Sequence, residues 1–370
     1  MRWLLLILLI PYLHLFLKIS RNLSKIRPYS VHGLPSVFAS VIIPCRDEEK
    51  NISSVLNDIS AQDYPPELYE LIIVDDNSLD TTYSVASGFR GIRNLKVYKN
   101  RGSGKKQAIR TGVALSTGDL VITSDADCRM GKSWIRTVAS FYEKERPDLI
   151  ICPVVLKGMP GFFHRFQELE FLGLQGVTTG SAVAGDPVMC NGANLAFHKG
   201  SYNLHSEDLH DELISGDDIF LLHSIKKEHP DKILWLESEN AVVATLPSWT
   251  PGSFIRQRAR WISKAGSYTD SATKVIALAT LMAILLQVSM LIAGLCNLIF
   301  LPVFVAVFFL KSIPDYMILR NTTARYGKKN LMRWFLFSQF VYPFYVVAVL
   351  FSCLLQPKTG VPNSPYQRGT

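Results

Sequence analysis

Asp119-Leu120-Val121-Ile122-Thr123-Ser124-Asp125-Ala126-Asp127 is the stretch on which the reading of this chain turns. Its apolar, β-branched run has the length of a buried strand, and it closes on two carboxylates one residue apart. Two such groups at a strand end cannot both point into a sheet, so at least one meets solvent or a cation. Mg²⁺ and Mn²⁺ favour one or two carboxylates completed by phosphate oxygens and water. A solvated turn that helps cap the next helix is the alternative for this triplet taken alone.

Upstream, Phe38 to Pro44, Tyr69 to Asp75 and Leu95 to Tyr98 read as further strands. Between them, residues 51–62 place Ile52, Val55, Leu56 and Ile59 on one helical face. Ser78 reads as the N-cap of a helix through about Phe89, and Gly104 to Leu115 as another. Strands alternating with helices imply an α/β fold with a mainly parallel sheet covered on both faces. Ligands of such sheets sit at the carboxyl ends of the strands, where Asp75-Asp76 and Asp125-Ala126-Asp127 both fall. Downstream, helices are expected over 133–144, 162–174 and 218–227, with a strand over 149–155. Pro251 to Tyr268 reads as an amphipathic helix carrying Arg256, Arg258, Arg260 and Lys264 beside Phe254, Ile255, Trp261 and Ile262. A basic, aromatic helix ahead of an apolar span should lie in the membrane interface.

The chain has 370 residues and a net charge of +8. That charge maps beside apolar segments: Lys18, Arg21, Lys25 and Arg27 after the first, then Lys311, Arg320, Arg325, Lys328, Lys329 and Arg333 between two later ones. Juxtamembrane placement argues for membrane lipids as partners and against nucleic acid. The six cysteines show no Cys-x-x-Cys pairing and read as reduced thiols. Of the scattered histidines, only His205 and His210 have even a weak metal-ligand spacing. The expected organisation is a transmembrane anchor over 1–18, a cytoplasmic α/β domain over 28–250, the interfacial helix over 251–272, three transmembrane helices over 273–356 with a basic cytoplasmic loop at 311–333, and a disordered tail over 357–370. The membrane expected is the inner membrane of a bacterial-type cell.

Several further residues could carry chemistry. Asp75 or Asp76 could accept from a nucleobase N–H, or serve only an Asx turn and helix cap. Lys105-Lys106, after Gly102-Ser103-Gly104, could touch a phosphate at a helix start, or be exposed lysines. Asp217-Asp218 opens a helix, where a carboxylate suits both a proton acceptor and the helix dipole.

The motifs S-V-I-I-P-C-R-D-E-E, V-D-D-N-S, G-K-K-Q-A, D-A-D, G-A-N, G-D-D-I-F-L-L and Q-R-A-R-W, in that order from about Ser40 to Gly266, resemble the inverting, membrane-bound family-2 glycosyltransferases. That family includes polysaccharide synthases and ceramide glucosyltransferases. The resemblance implies a GT-A, Rossmann-like nucleotide-diphospho-sugar transferase domain joined to transmembrane helices, with Mg²⁺ or Mn²⁺ as cofactor. It implies that Pro44, Arg46 and Glu48 line the nucleotide pocket, that Asp76 or Asp75 meets the base, and that Lys105 approaches the diphosphate. Asp125 would contact the nucleotide sugar and Asp127, with Asp125, the metal. Asn194 would border the acceptor site, and Asp218 would be the catalytic base. Gln257, Arg260 and Trp261 would hold the diphosphate and the acceptor end. The pair opens with Asp217 where the family has Glu, which leaves that position's supporting role open. The partners implied are a nucleotide-diphospho-sugar donor, most simply a UDP-sugar, and a lipid or lipid-linked glycan acceptor. A processive polysaccharide synthase and a non-catalytic nucleotide sensor are the alternatives.

Overall fold

The computed structural model describes residues 2–31, 33–210, 213 and 216–355. The tail expected to be disordered lies outside the described residues. In chain order the elements are α1 (Ile10–Leu23, preceded by a 3-10 turn), β1 (Ala39–Cys45), α2 (Ile52–Ser60), β2 (Tyr69–Asp75), α3 (Thr82–Gly88), β3 (Leu95–Lys99), α4 (Lys105–Leu115), β4 (Leu120–Ser124), β5 (Arg129–Met130), α5 (Trp134–Glu145), β6 (Leu149–Ile151), β7 (Val154–Leu156) and α6 (Phe162–Val183). There follow β8 (Asn194–His198), α7 (Lys199–Leu204), α8 (Asp217–Glu228), β9 (Ile233–Trp235), β10 (Val243–Thr245), α9 (Pro251–Ile262), α10 (Ser271–Cys296), α11 (Leu301–Arg325) and α12 (Phe335–Leu355). They group into two units.

The sheet unit comprises residues 27–157 and 189–246 among those described. Its main sheet has the order β3-β2-β1-β4-β8-β6-β9. β3, β2, β1 and β4 run parallel, with Cys45 level with Asp75 and Ile42 level with Thr123. β8 is antiparallel to both β4 and β6, setting Ser124 opposite Asn194. β1, β2 and β4 are buried along their whole lengths, as continuous apolar runs require when helices cover both faces. The expected strand over 149–155 is two strands. Cys152-Pro153 interrupts it, and β7 leaves for a small sheet of order β5-β10-β7. Proline cannot donate to a ladder, so the chain changes sheet there. The helix expected to be capped by Ser78 starts later, at Thr82. Ser78 Oγ instead accepts from the Asp47 N–H at 3.0 Å.

The helical unit comprises α1, α6 and α9–α12. Four of its helical stretches are long and apolar enough to cross a membrane: Arg2–Leu23, Ser271–Cys296, Leu298–Arg325 and Lys329–Leu355. Asn297 is the C-cap of α10, and its side chain accepts from the Ile299 N–H at 3.1 Å. Three boundaries differ from the sequence reading. α6 runs on past Leu174 to Val183 and packs with α1 and α11 in this unit, outside the α/β domain to which 28–250 assigned it. Its second half, rich in Gln, Thr, Gly and Ser, carries little apolar signal, yet small residues let helices approach closely. The first helix continues to Leu23, so Lys18 and Arg21 are helical. Much of the supposed basic loop 311–333 is helix, for α11 reaches Arg325 and holds Lys311 buried.

α9 also departs from expectation, ending at Ile262 before a short 3-10 turn. Its start is a reciprocal cap between Thr250 and Ser253 ahead of Pro251. Arg258, grouped by sequence with the headgroup-facing bases, is buried with Phe254 and Ala259.

Candidate active site

The site forms in the sheet unit where β4 ends beside the start of β8. Two segments bring charge to it, and each is preceded by a glycine in the left-handed region: Gly104 (φ 94) before Lys105 and Gly216 (φ 105) before Asp217. A side chain at either glycine would be strained, so these positions set how the two helices enter the site.

Lys105, the first residue of α4, pairs through Nζ with Asp125 Oδ1. Burial lowers the affinity of its amine for a proton, but the carboxylates of Asp125, Asp217 and Asp218 outweigh that, and its pKa is raised. It is therefore a permanent cation. Lys105 thus lies within electrostatic reach of the strand-end Asp125 and of the Asp217-Asp218 pair. Asp218 is also fixed directly. Its Oδ2 accepts from the Gly192 N–H at 2.9 Å and its Oδ1 from its own neighbour Ile219 N–H at 2.8 Å. Gly192 is tied to β4, since its carbonyl accepts from Thr123 Oγ1 at 3.1 Å. The Asp218 carboxylate is thus held one strand away from Asp125 by short backbone links.

Asp127 is 7% exposed and accepts from Thr245 Oγ1 at 3.2 Å. Asp125 remains part-exposed at 26%. Among the described residues, no group of three or more His, Cys, Asp or Glu side chains converges as metal ligands. Two carboxylates with hard oxygen donors at a strand end nevertheless fit a Mg²⁺ or Mn²⁺ ion whose other positions come from phosphate and water.

The loops after β1 and β2 form the next part of the rim. Asp47 (φ 53) and Asn77 (φ 58) both adopt left-handed backbone, a strain that surrounding bonds must hold. Asp47 Oδ1 accepts from the Leu79 N–H at 2.7 Å, and Thr82 Oγ1 accepts from the Glu48 N–H at 2.7 Å. Glu48 Oε2 accepts from Asn51 at 2.7 Å. Pro44 is inside β1, and Arg46 at the strand end lies 3.6 Å from Asp76. Asp75 and Asp76 are both buried. Asp75 accepts from Ser78 N–H at 3.2 Å, which is the turn role weighed above. Asp76 accepts the Gly104 N–H with both oxygens at 2.9 Å and the Asn100 amide at 2.8 Å. It therefore fixes the glycine that positions Lys105.

Asn194 sits elsewhere than expected. It is fully buried, its amide nitrogen donates to the Pro153 and Ala241 carbonyls at 2.7 and 2.8 Å, and its oxygen accepts from Trp134 Nε1 at 3.0 Å. With its bonding capacity spent in the core, this side chain ties β8 to the start of α5 and to the small sheet.

Lys106, read with Lys105 as a phosphate contact or an exposed lysine, is buried. It is 5% exposed, and its Nζ donates to the carbonyls of Leu209 and His210 at 2.5 and 2.6 Å. One turn on, Arg110 donates to the Ser206 carbonyl. α4 thus turns one lysine toward Asp125 and uses the next to hold the Leu209 and His210 carbonyls. No local signal in Gly-Lys-Lys-Gln-Ala distinguishes the two. The cysteines near the site are inert by comparison, since burial pushes the thiols of Cys45 and Cys128 well up.

Gln257, Arg260 and Trp261 lie on α9 in the helical unit. Gln257 Oε1 accepts from Arg258 Nη1 at 2.7 Å and from Ser248 Oγ at 3.4 Å.

Comparison with known proteins follows this geometry. Residues 40–202 match the family described as Glycosyl transferase family 2. The poly(ribitol-phosphate) beta-N-acetylglucosaminyltransferase TarS of Staphylococcus aureus is 30% identical over 126 residues, 33% of this chain and 21% of its own. Glycosyltransferase AglE of Haloferax volcanii is 33% identical over 115 residues, 30% of this chain and 38% of its own. A Methanococcus voltae dolichyl N-acetyl-alpha-D-glucosaminyl phosphate 3-beta-D-2,3-diacetamido-2,3-dideoxy-beta-D-glucuronosyltransferase is 30% identical over 137 residues, 35% of this chain and 40% of its own. The match thus spans less than half the length of each of these relatives. Among solved structures, the mannosyltransferase PcManGT of Pyrobaculum calidifontis, in complex with GDP-Man and Mn²⁺, aligns at TM-score 0.58 and 19% identity, covering 96% of this chain and 99% of that one. That likeness establishes the fold. The chain carries a Glycosyl transferase family 2 domain at residues 40–202.

Proposed function

We propose that this chain is a membrane-bound inverting glycosyltransferase that moves a sugar from a nucleoside-diphosphate donor to a lipid or lipid-linked acceptor, with Asp218 as general base. The observation that carries the reading is the shared electrostatic environment of Lys105, Asp125 and Asp218 at one strand end. Four apolar helices, and relatives named for dolichyl and undecaprenyl-phosphate sugar transfer, support a lipid acceptor. The catalytic unit is proposed to face the cytoplasm.

The chemistry follows from the groups present. A nucleoside diphosphate is already a good leaving group, so no general acid is needed. The Lys105 ammonium can leave Asp125 to meet the developing negative charge. Asp125 and Asp127 would hold the divalent ion, which supplies Lewis-acid stabilisation of the diphosphate when bound. Asp218, steadied by the Gly192 N–H, takes the acceptor proton as oxygen attacks the anomeric carbon from the far side. One base rather than two carboxylates distinguishes this from glycoside hydrolysis. Asp75 and Asp76 are proposed to shape the nucleoside end with Pro44, Arg46 and Glu48. The part of Gln257, Arg260 and Trp261 in holding diphosphate and acceptor is carried by the resemblance.

The test is a panel of radiolabelled uridine and guanosine diphosphate sugars offered to membranes containing the full chain, with lipid extracts and polymer separated. Label in a lipid fraction that depends on Asp218 is expected. Release of no nucleoside diphosphate from any donor would sink the reading, and long polymer would replace it with a processive synthase.

A further inference from the structure

We infer that Arg258, an unspecified position inside Gln-x-x-Arg-Trp, is the positioning residue that sets the geometry of that segment, through a buried pair with Glu170. The inference rests on the glycosyltransferase reading for its consequence but not for its geometry. Arg258 and Glu170 are each 5% exposed. Their contact is bidentate: Nε to Oε1 at 2.9 Å and Nη2 to Oε2 at 2.6 Å. Such forks fix direction as well as distance. Glu170, on α6, also accepts from the Tyr345 hydroxyl of α12 at 3.1 Å. The arginine is therefore immobilised by two helices other than its own.

What it then holds are two residues of the motif. Nη1, the nitrogen left over from the fork, donates to Gln257 Oε1 at 2.7 Å. This fixes which end of the Gln257 amide is occupied and leaves the donor end for another partner. The guanidinium also lies over the Trp261 ring at 4.1 Å and near Phe254 at 4.7 Å. A planar cation is needed for the fork and the stacking together, which a lysine cannot supply. Three of its five N–H groups are spent on Glu170 and Gln257 and the side chain is buried, so its effect on the reaction is taken to pass through its neighbours.

The experiment uses the full chain in nanodiscs, with the donor found by the panel above. Arg258→Lys is expected to lower kcat for transfer about 10- to 100-fold. The double variant Arg258→Met with Glu170→Leu replaces the pair by apolar side chains, which a purely structural pair often tolerates. It should stay folded by melting temperature and lose transfer equally. Combining Arg258→Lys with Trp261→Ala should cost no more than the worse single change. Unchanged kcat in both Arg258 variants, or additive losses with Trp261→Ala, would overturn the inference. Independently of any turnover, the ¹⁹F resonance of 5-fluorotryptophan at position 261, assigned with Trp261→Phe, should move in Arg258→Lys. An unmoved resonance would overturn the inference, whereas a moved resonance in a chain that turns over no donor would leave the positioning standing and the enzymatic reading fallen.

Discussion

In the sheet unit, Lys105 and Asp125 meet with 28% and 26% of their side chains exposed, whereas in the helical unit Lys311 and Asp315 meet at 1% and 11%. The first pair is part-exposed, and the Asp217 and Asp218 carboxylates also act on its lysine. The second is closed on every side. Lys311 Nζ donates to Asp315 at 2.7 Å and Gln339 at 3.1 Å, and Tyr12 donates to the other Asp315 oxygen at 2.5 Å. An accessible pair can exchange a partner for a phosphate, because water and ligand compensate each ion in turn. A pair enclosed by helices cannot, since breaking it strands a charge away from water. Similar residues are therefore proposed to meet substrate in one place, and hold the register of α1, α11 and α12 in the other.

That contrast can be broken from either side. Asp218→Asn should reduce transfer about 10³-fold or more while nucleotide still binds, measured by single turnover and by nucleotide titration. Full activity in that variant would remove the proposed base. Lys311→Met should cost about 3–5 kcal/mol of stability in detergent or nanodiscs. Adding Asp315→Leu should recover most of it, and a Lys311→Met chain that melts like wild type would show that the enclosed pair does not hold the helices. Lys106→Met sharpens the comparison within the sheet unit. Buried beside Lys105, it should lower kcat about tenfold with little change in donor KM, because the Lys106 Nζ holds the Leu209 and His210 carbonyls. A large KM effect would place Lys106 among the donor contacts instead.

The smallest effect concerns a buried carboxylate at the amino end of β2, the end opposite Asp75. Burial pushes the Glu70 carboxyl up, but hydrogen bonds from Lys96, Ser40 and Thr117 outweigh it, so its pKa falls below the ordinary 4.5. A carboxylate lowered in this way stabilises the fold above that value and loses the contribution as pH drops through its folded pKa. Glu70→Gln should therefore cost about 2 kcal/mol near neutrality. The difference from wild type should shrink below about pH 4.5, followed by denaturant melts across pH. A penalty constant with pH would assign the effect to packing.

The first half of the sheet was readable because β1 to β4 are long apolar runs separated by helices with a clear face. β9 and β10 were not, because three-residue strands carry no periodicity and find their partners far away in sequence. α6 was read short for a related reason. Its later turns pack through Gly, Ser and Thr, which look like a loop unless α1 and α11 are known to lie against them. The candidate site was legible as motif order, yet not as roles. Asn194 looked like a site residue and is a core amide, while Lys106 looked like surface and is buried.

By itself, the order of apolar runs and charged termini determined an α/β domain with carboxylates at its strand ends, joined to helices suited to a membrane, since period and composition are local properties. Only the tertiary structure decided which carboxylate faces which cation, that Arg258 and Lys311 are enclosed, and that 162–183 belongs with the membrane helices. Those outcomes depend on desolvation and on partners dozens or hundreds of residues away, and no local stretch of sequence records them.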